Sequence, residues 1–200
     1  MHPRNRDVHD RAVEMIARER YGAKIMGNIE RAAYVEAIIY IALSDAAEDE
    51  WRATPLWEAW DLENRNGVRV EVKQSAARQP WRQDKPSKPT FSISKQVSDL
   101  WDYDNGNHIR LPSPMRVADI YVFAWHSEER SRWVDHRALA QWRFYVVAVH
   151  RLPPDQMSIS LNPLKALADP VGYNTLPHAI DEAARSLTHL KCDEMKTLGE

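Results

Sequence analysis

Chemistry in this sequence concentrates between Trp60 and Lys73, where charged and apolar residues alternate on either side of Arg65-Asn66-Gly67. Alternation with period two is the mark of strands with one buried face, and a glycine in a tight loop between two such runs marks a hairpin. A three-residue loop with Gly67 in the left-handed conformation sets Glu63 opposite Arg69 and Asp61 opposite Glu71 on one face. The other face then carries Leu62 opposite Val70 and Trp60 opposite Val72, so one side is charged throughout and the other apolar. A two-residue Asn66-Gly67 turn would set Leu62 against Glu71 and Asp61 against Val72, and it is rejected because it mixes both faces.

In the favoured register the carboxylates of Asp61 and Glu71 face each other with Cβ atoms about 5 Å apart. Two such charges repel unless a shared proton or a cation neutralises them, and a cation is the simpler account. All-oxygen ligation with room left for water and a phosphate suits Mg2+, with Mn2+ an alternative. Lys73 lies two residues beyond Glu71 and so shares its face. Its ammonium could stabilise the charge developing on a pentacoordinate phosphorus or, with a lowered pKa, help deprotonate the attacking water.

A third carboxylate is expected from the helix predicted over 29–44, with Asn28 as its cap. The apolar side chains of this helix surround the whole cylinder, which predicts burial. Glu36 projects at the same angle as Ile29, Ala32, Ile39, Tyr40 and Leu43, an unfavourable place for an unpaired charge. Joining the metal site would satisfy it, as would partial exposure or an arginine partner; Glu30 is an alternative for the same role. A second Glu-x-Lys, Glu194-Met195-Lys196, has no strand context and no facing aspartate, and reads as a solvated charge run.

Glu36, Asp61 and Glu71-Val72-Lys73 together resemble the PD-(D/E)xK phosphodiesterase superfamily, over roughly residues 22–150; Trp60 stands where the motif's name has proline. The resemblance implies a restriction endonuclease-like core and divalent-metal hydrolysis of nucleic-acid phosphodiesters. Asp61, Glu71 and Glu36 would hold the metal, with Lys73 beside them as a catalytic residue. Gln79-Pro80-Trp81 and the run from Ala118 to Phe123 are likewise similar to uncharacterised bacterial members.

Charge distribution points to a polyanionic partner. Between Asn64 and Ser98 eight basic residues meet only Glu71 and Asp84, a window of +6 in a chain whose formal charge is −2. Such a patch is what phosphate neutralisation needs, although a pI near 6.5 is low for a general nucleic-acid binder. Trp81 between Arg78 and Arg82 is the expected DNA contact by base stacking and phosphate pairing, with Arg69 and Gln74 as further nucleic-acid-binding residues. The other tryptophans read as packing residues.

The elements positioning these residues read as an α/β fold: a single domain with a central mixed sheet of about five strands flanked by helices. A peripheral helix over 7–21 stops at Gly22. Strands are expected over 58–63, 68–75, 90–95, 118–125 and 142–150, the last two central because of their β-branched and aromatic content. Residues 82–89 read as a mobile loop and 102–114 as a second turn-rich loop. A C-terminal helical extension covers 151–190, with a helix over 177–190 and a frayed tail over 191–200.

Composition narrows the function. Cys192 is the only cysteine, which excludes internal disulfides and paired-cysteine zinc sites. The eight histidines show no ligand spacing, and six glycines give neither a phosphate-cradling loop nor a nucleophile elbow. No apolar run is long enough to span a bilayer and the N-terminus carries no secretory h-region, so a cytoplasmic location without membrane contact is expected. The reading is a metal-dependent nuclease acting on DNA; double-strand cutting would require two sites and hence a homodimer. Two rivals share the composition: a non-catalytic nucleic-acid-binding module of the same fold, and a protein-interaction or toxin-antitoxin-type component with an acidic surface.

Overall fold

The computed structural model describes residues 3–47, 50–54, 59–97, 100–102 and 107–197. Helices α1 (Pro3–Tyr21) and α2 (Asn28–Ala46) precede the strands β1 (Trp51–Ala53), β2 (Leu62–Asn64) and β3 (Arg69–Ala76). The short strands β4 (Thr90–Ser92), β5 (Leu100–Asp102) and β6 (Asn107–Ile109) lead to the long β7 (Ile120–His126) and β8 (Trp142–Ala148). The chain closes with β9 (Ser158–Ser160), α3 (Leu161–Leu167) and α4 (Leu176–Thr197). A five-stranded mixed sheet has the order β1-β2-β3-β7-β8, parallel only between β3 and β7.

The two faces of this sheet carry separate cores. Val70 and Val72 of β3 with Ile120, Val122 and Ala124 of β7 pack under α2 and α4 through Val35, Ile39, Leu43, Leu176 and Ile180. The alternate residues Tyr121, Phe123 and Trp125 face Phe91, Ile93, Ile159 and Leu164 on the opposite side. All seven residues of β7 are buried, as a strand sandwiched between two layers requires. Segment 151–197 contributes to both cores, through β9 and α3 on one side and α4 on the other.

Several expectations need correction. Helix α2 is not buried all round: Ile29 and Ile41 are 79% and 48% exposed, because the sheet and α4 cover only part of its circumference. Its cap is Gly27, whose carbonyl accepts the Arg31 N–H at 2.9 Å, which frees the Asn28 side chain for other partners. The fifth strand of the sheet is β1, paired to β2, whereas the expected strand at 90–95 shortens to β4 and pairs with β9 in a separate ribbon. Strand β8 lies at the sheet edge rather than the centre; Val171 protects it by exchanging two backbone hydrogen bonds with Phe144. The loop expected at 102–114 contains β6, paired to β5. Helix α4 continues past residue 190 to Thr197, where fraying was expected.

The hairpin follows the expected register. Gly67 has φ +77°, and Leu62 pairs with Val70 and Glu63 with Arg69. Asn64 closes the loop through its side-chain Oδ1, which accepts the N–H groups of Asn66 and Val68 at 3.0 and 2.9 Å. Among the described residues, no helix is long and apolar enough to cross a membrane.

Candidate active site

The β2–β3 ladder stops at Leu62, one residue short of the expected Asp61–Glu71 pair. The Asp61 N–H donates to the carbonyl of Val70, the residue paired with Leu62, a one-residue offset of the β-bulge kind. Val72 would thereby lose its ladder acceptor, and Asp61 Oδ2 replaces it at 2.6 Å. Asp61 is therefore fixed at the fork where the two strands part. The same offset overturns the expected position of Trp60. It packs in the core beneath Tyr121 and Phe123, away from the Val72 face, and the Arg69 guanidinium lies 3.9 Å above its ring.

On β3, Glu71 and Lys73 point to the same side, and Lys73 Nζ donates to Glu71 Oε1. Burial pushes the Glu71 carboxyl up to about 7, with Asp61 and Glu36 adding to the rise and Lys73 opposing it. Glu36 rises to about 7 as well, first through burial and then through the charge of Asp61. Asp61 is raised by its own burial, against the Val72 N–H and Lys73. Three carboxyls from α2, the bulge and β3 thus lie within electrostatic reach of one another and of one lysine. Glu30 is elsewhere, paired with Arg20 at 3.3 Å, so Glu36 is the helical carboxylate of the cluster.

Each member of the cluster keeps accepting capacity. Among the described residues, Asp61 Oδ1, Glu71 Oε2 and the Glu36 carboxylate receive no hydrogen bond. Deficient neutralisation and free hard oxygen ligands are what Mg2+ or Mn2+ requires, so these side chains fit such an ion. Among the described residues no three acidic, histidine or cysteine side chains are gathered closely enough to hold a metal by themselves. Waters or substrate oxygens would complete the coordination, as Mg2+ prefers.

The nucleic-acid-binding candidates divide. Trp81 is 60% exposed and Arg82 is exposed beside it, both available to a ligand. Their loop is tied at two points, with the Ser87 N–H bonded to the Ala77 carbonyl and Gln83 bridging Gln79 and Ser87. Arg78 donates to the Glu129 carbonyl, and Arg69 is engaged by Trp60 and by Glu63 at 3.6 Å. Gln74 points to the opposite face, away from the carboxylates. Its Oε1 accepts from Arg31 Nε at 2.6 Å and its Nε2 donates to Asn28 Oδ1 at 2.9 Å, so it serves the interior rather than a ligand.

Arg31 itself is 1% exposed and, among the described residues, meets no carboxylate; besides Gln74 it bonds Asn28 Oδ1, Gln79 Oε1 and the Met26 carbonyl. Nearby, His126 and His136 are fully buried with rings 4.7 Å apart, and burial holds both below the ordinary histidine range, His136 at about 3. Both rings are hydrogen-bonded, His136 Nδ1 accepting the Met26 N–H at 3.0 Å and His126 Nε2 meeting the Asp135 carbonyl at 3.1 Å.

Sequence reasoning missed the cavity beside the cluster. About 190 Å³ in volume, it is lined by Glu71, Lys73, Ser92, Lys95, Arg116 and Tyr121, among others. Its second wall comes from the ribbon and from residue 116, distant in sequence from the hairpin, and no local spacing announces that meeting. Compared with models of known protein families and with curated protein sequences, the chain matches neither.

Proposed function

We propose that this protein is a metal-dependent nuclease that hydrolyses phosphodiester bonds of nucleic acid, with DNA as the substrate. The observation that carries the reading is the convergence of Glu36, Asp61, Glu71 and Lys73, from α2, the bulge and β3, with the carboxyls of Glu36 and Glu71 raised to about 7. A buried group of carboxylates beside a lysine is costly to a fold and calls for a chemical use. The mixed α/β sheet is compatible with the PD-(D/E)xK resemblance noted in the sequence.

In this reading Asp61 and Glu71 would hold a Mg2+ or Mn2+ ion, and Glu36 would complete the site through water. The bound ion would supply Lewis-acid polarisation of the phosphate and a water of lowered pKa. Asp61 is oriented by the Val72 N–H, so its free oxygen has a fixed direction. Lys73, as an ammonium beside Glu71, would neutralise the negative charge that builds on phosphorus. Exposed Trp81 and Arg82 offer a stacking surface and a phosphate contact for the strand.

The test is incubation of the purified protein with plasmid, linear duplex and single-stranded DNA in Mg2+, Mn2+ or EDTA, beside Lys73→Ala. Metal-dependent products lost in the variant are expected. DNA binding without products would instead identify a non-catalytic module, and neither binding nor products would leave the interaction role.

A further inference from the structure

We infer that the cavity beside the carboxylates is a phosphate-binding pocket, which takes a phosphate group of the substrate strand other than the one being cut. The inference rests on the nuclease reading and gives that site a second anchoring point. Its lining carries three cations, Lys73, Lys95 and Arg116, against the single carboxylate of Glu71. Lys73 is engaged by Glu71, so the charge available to an incoming anion comes from the other two.

Arg116 is held in place without being neutralised. Its Nε donates to the Ile93 carbonyl at 2.7 Å and one terminal nitrogen donates to the carbonyls of Pro153 and Gln156 at 2.8 and 2.9 Å. A guanidinium tied only by neutral acceptors keeps its full charge, and its other terminal nitrogen makes no bond among these contacts. Among the described residues Lys95 pairs with Asp155, 3.7 Å away on a side chain 92% exposed, where water screens the attraction. The Tyr121 hydroxyl adds a neutral donor, while the Ser94 hydroxyl donates to the Met157 carbonyl and meets that of Ser92.

The space, about 190 Å³, is large enough for a phosphate group with waters around it. The rim is stapled by the Gln96–Met115 bridge, with N···O distances of 2.7 and 3.1 Å in the two directions, which puts Lys95 and Arg116 on opposite sides of one clasp.

The experiment titrates inorganic phosphate into the protein in EDTA by calorimetry, for the wild type, Lys95→Gln, Arg116→Gln and the distant exposed control Lys165→Gln. Saturable binding in the millimolar range, weakened at least fivefold in Lys95→Gln and unaltered in the control, is expected. Arg116→Gln also cuts three hydrogen bonds to backbone carbonyls, so the Lys95 variant, which gives up only the screened contact with Asp155, carries the conclusion. Where cleavage is seen, Lys95→Gln raises KM severalfold with kcat nearly unchanged. Comparing 5′-phosphorylated, 3′-phosphorylated and unphosphorylated strands then separates a terminal from an internal source of the phosphate. Absence of saturable binding, or binding indifferent to both substitutions, overturns the pocket even if cleavage is robust. Phosphate binding that obeys the substitutions in a protein with no nuclease activity would retain the pocket and remove the nuclease reading.

Discussion

Glu71→Gln should make the metal-free protein more stable at alkaline pH while abolishing cleavage. The Glu71 carboxyl ionises near 7 in the fold against an ordinary 4.5. A carboxyl whose folded pKa is raised favours the folded state below about 4.5, and that advantage is lost as pH climbs through 7. At pH 8 the ionised group therefore costs the fold about 3 kcal/mol, and near pH 5 about 1 kcal/mol, from 1.36 kcal/mol per pH unit of difference. Glutamine mimics the neutral acid and still offers Lys73 an acceptor. For a chain of this length, 1 kcal/mol moves Tm by about 2–4 °C, so Tm should rise by roughly 6–12 °C at pH 8 and only a few degrees at pH 5. The comparison must be variant against wild type at each pH, because His126 and His136, held neutral, destabilise the fold as pH falls below 6.5 in both proteins. The assay is calorimetric or circular-dichroism melting in EDTA, repeated in Mg2+. Magnesium at 100 times its Kd adds about 2.7 kcal/mol to the wild type, and the variant should forgo most of that gain. A Tm difference that is independent of pH, or negative at pH 8, would refute the reasoning that these carboxyls are strained against one another.

Three further outcomes follow from the same geometry. Asp61→Ala removes both the site charge and the acceptor of the Val72 N–H, so it should abolish cleavage and cost about 1–3 kcal/mol in denaturant melts, whereas Asp61→Asn should lose activity while keeping most stability. Gln74→Ala leaves Arg31 Nε without its acceptor and should destabilise the fold by about 1–3 kcal/mol with DNA affinity unchanged, measured by chemical denaturation and filter binding. Arg82→Ala should weaken DNA binding and reduce the slope of log K against log salt by about one, with Tm nearly unaltered, because the side chain is exposed.

The hairpin and its loop were legible because alternation and Gly67 are local signals, and the cross-strand pairs Leu62–Val70 and Glu63–Arg69 follow from them. Glu36 stands out in the sequence by its angle on the helix, and in α2 it is half-buried, its carboxyl raised by burial and by Asp61. The bulge at Asp61 was not, because a side chain replacing a backbone acceptor changes the register without altering the alternation. That one step also moved Trp60 to the other core. The Gln74–Arg31 contact was not legible for a related reason: the two residues lie 43 positions apart. Strand β1 and the β4–β9 ribbon escaped because three-residue strands are set by what they meet and carry no period of their own.

Buried Arg31 bears on how the molecule assembles. Two of its acceptors, Asn28 and the Met26 carbonyl, are local and form with the helix; the other two, Gln74 and Gln79, arrive only when β3 and its following turn are in place. A helix docked without them would bury a cation half-satisfied, which costs several kcal/mol. A slide of one turn, about 5.4 Å, would separate Arg31 from both glutamines and carry Glu36, five residues further along α2, away from Asp61. The guanidinium therefore acts as a registration pin: it penalises partly docked intermediates, makes helix and strand order together, and sets the reach of a carboxylate it never touches.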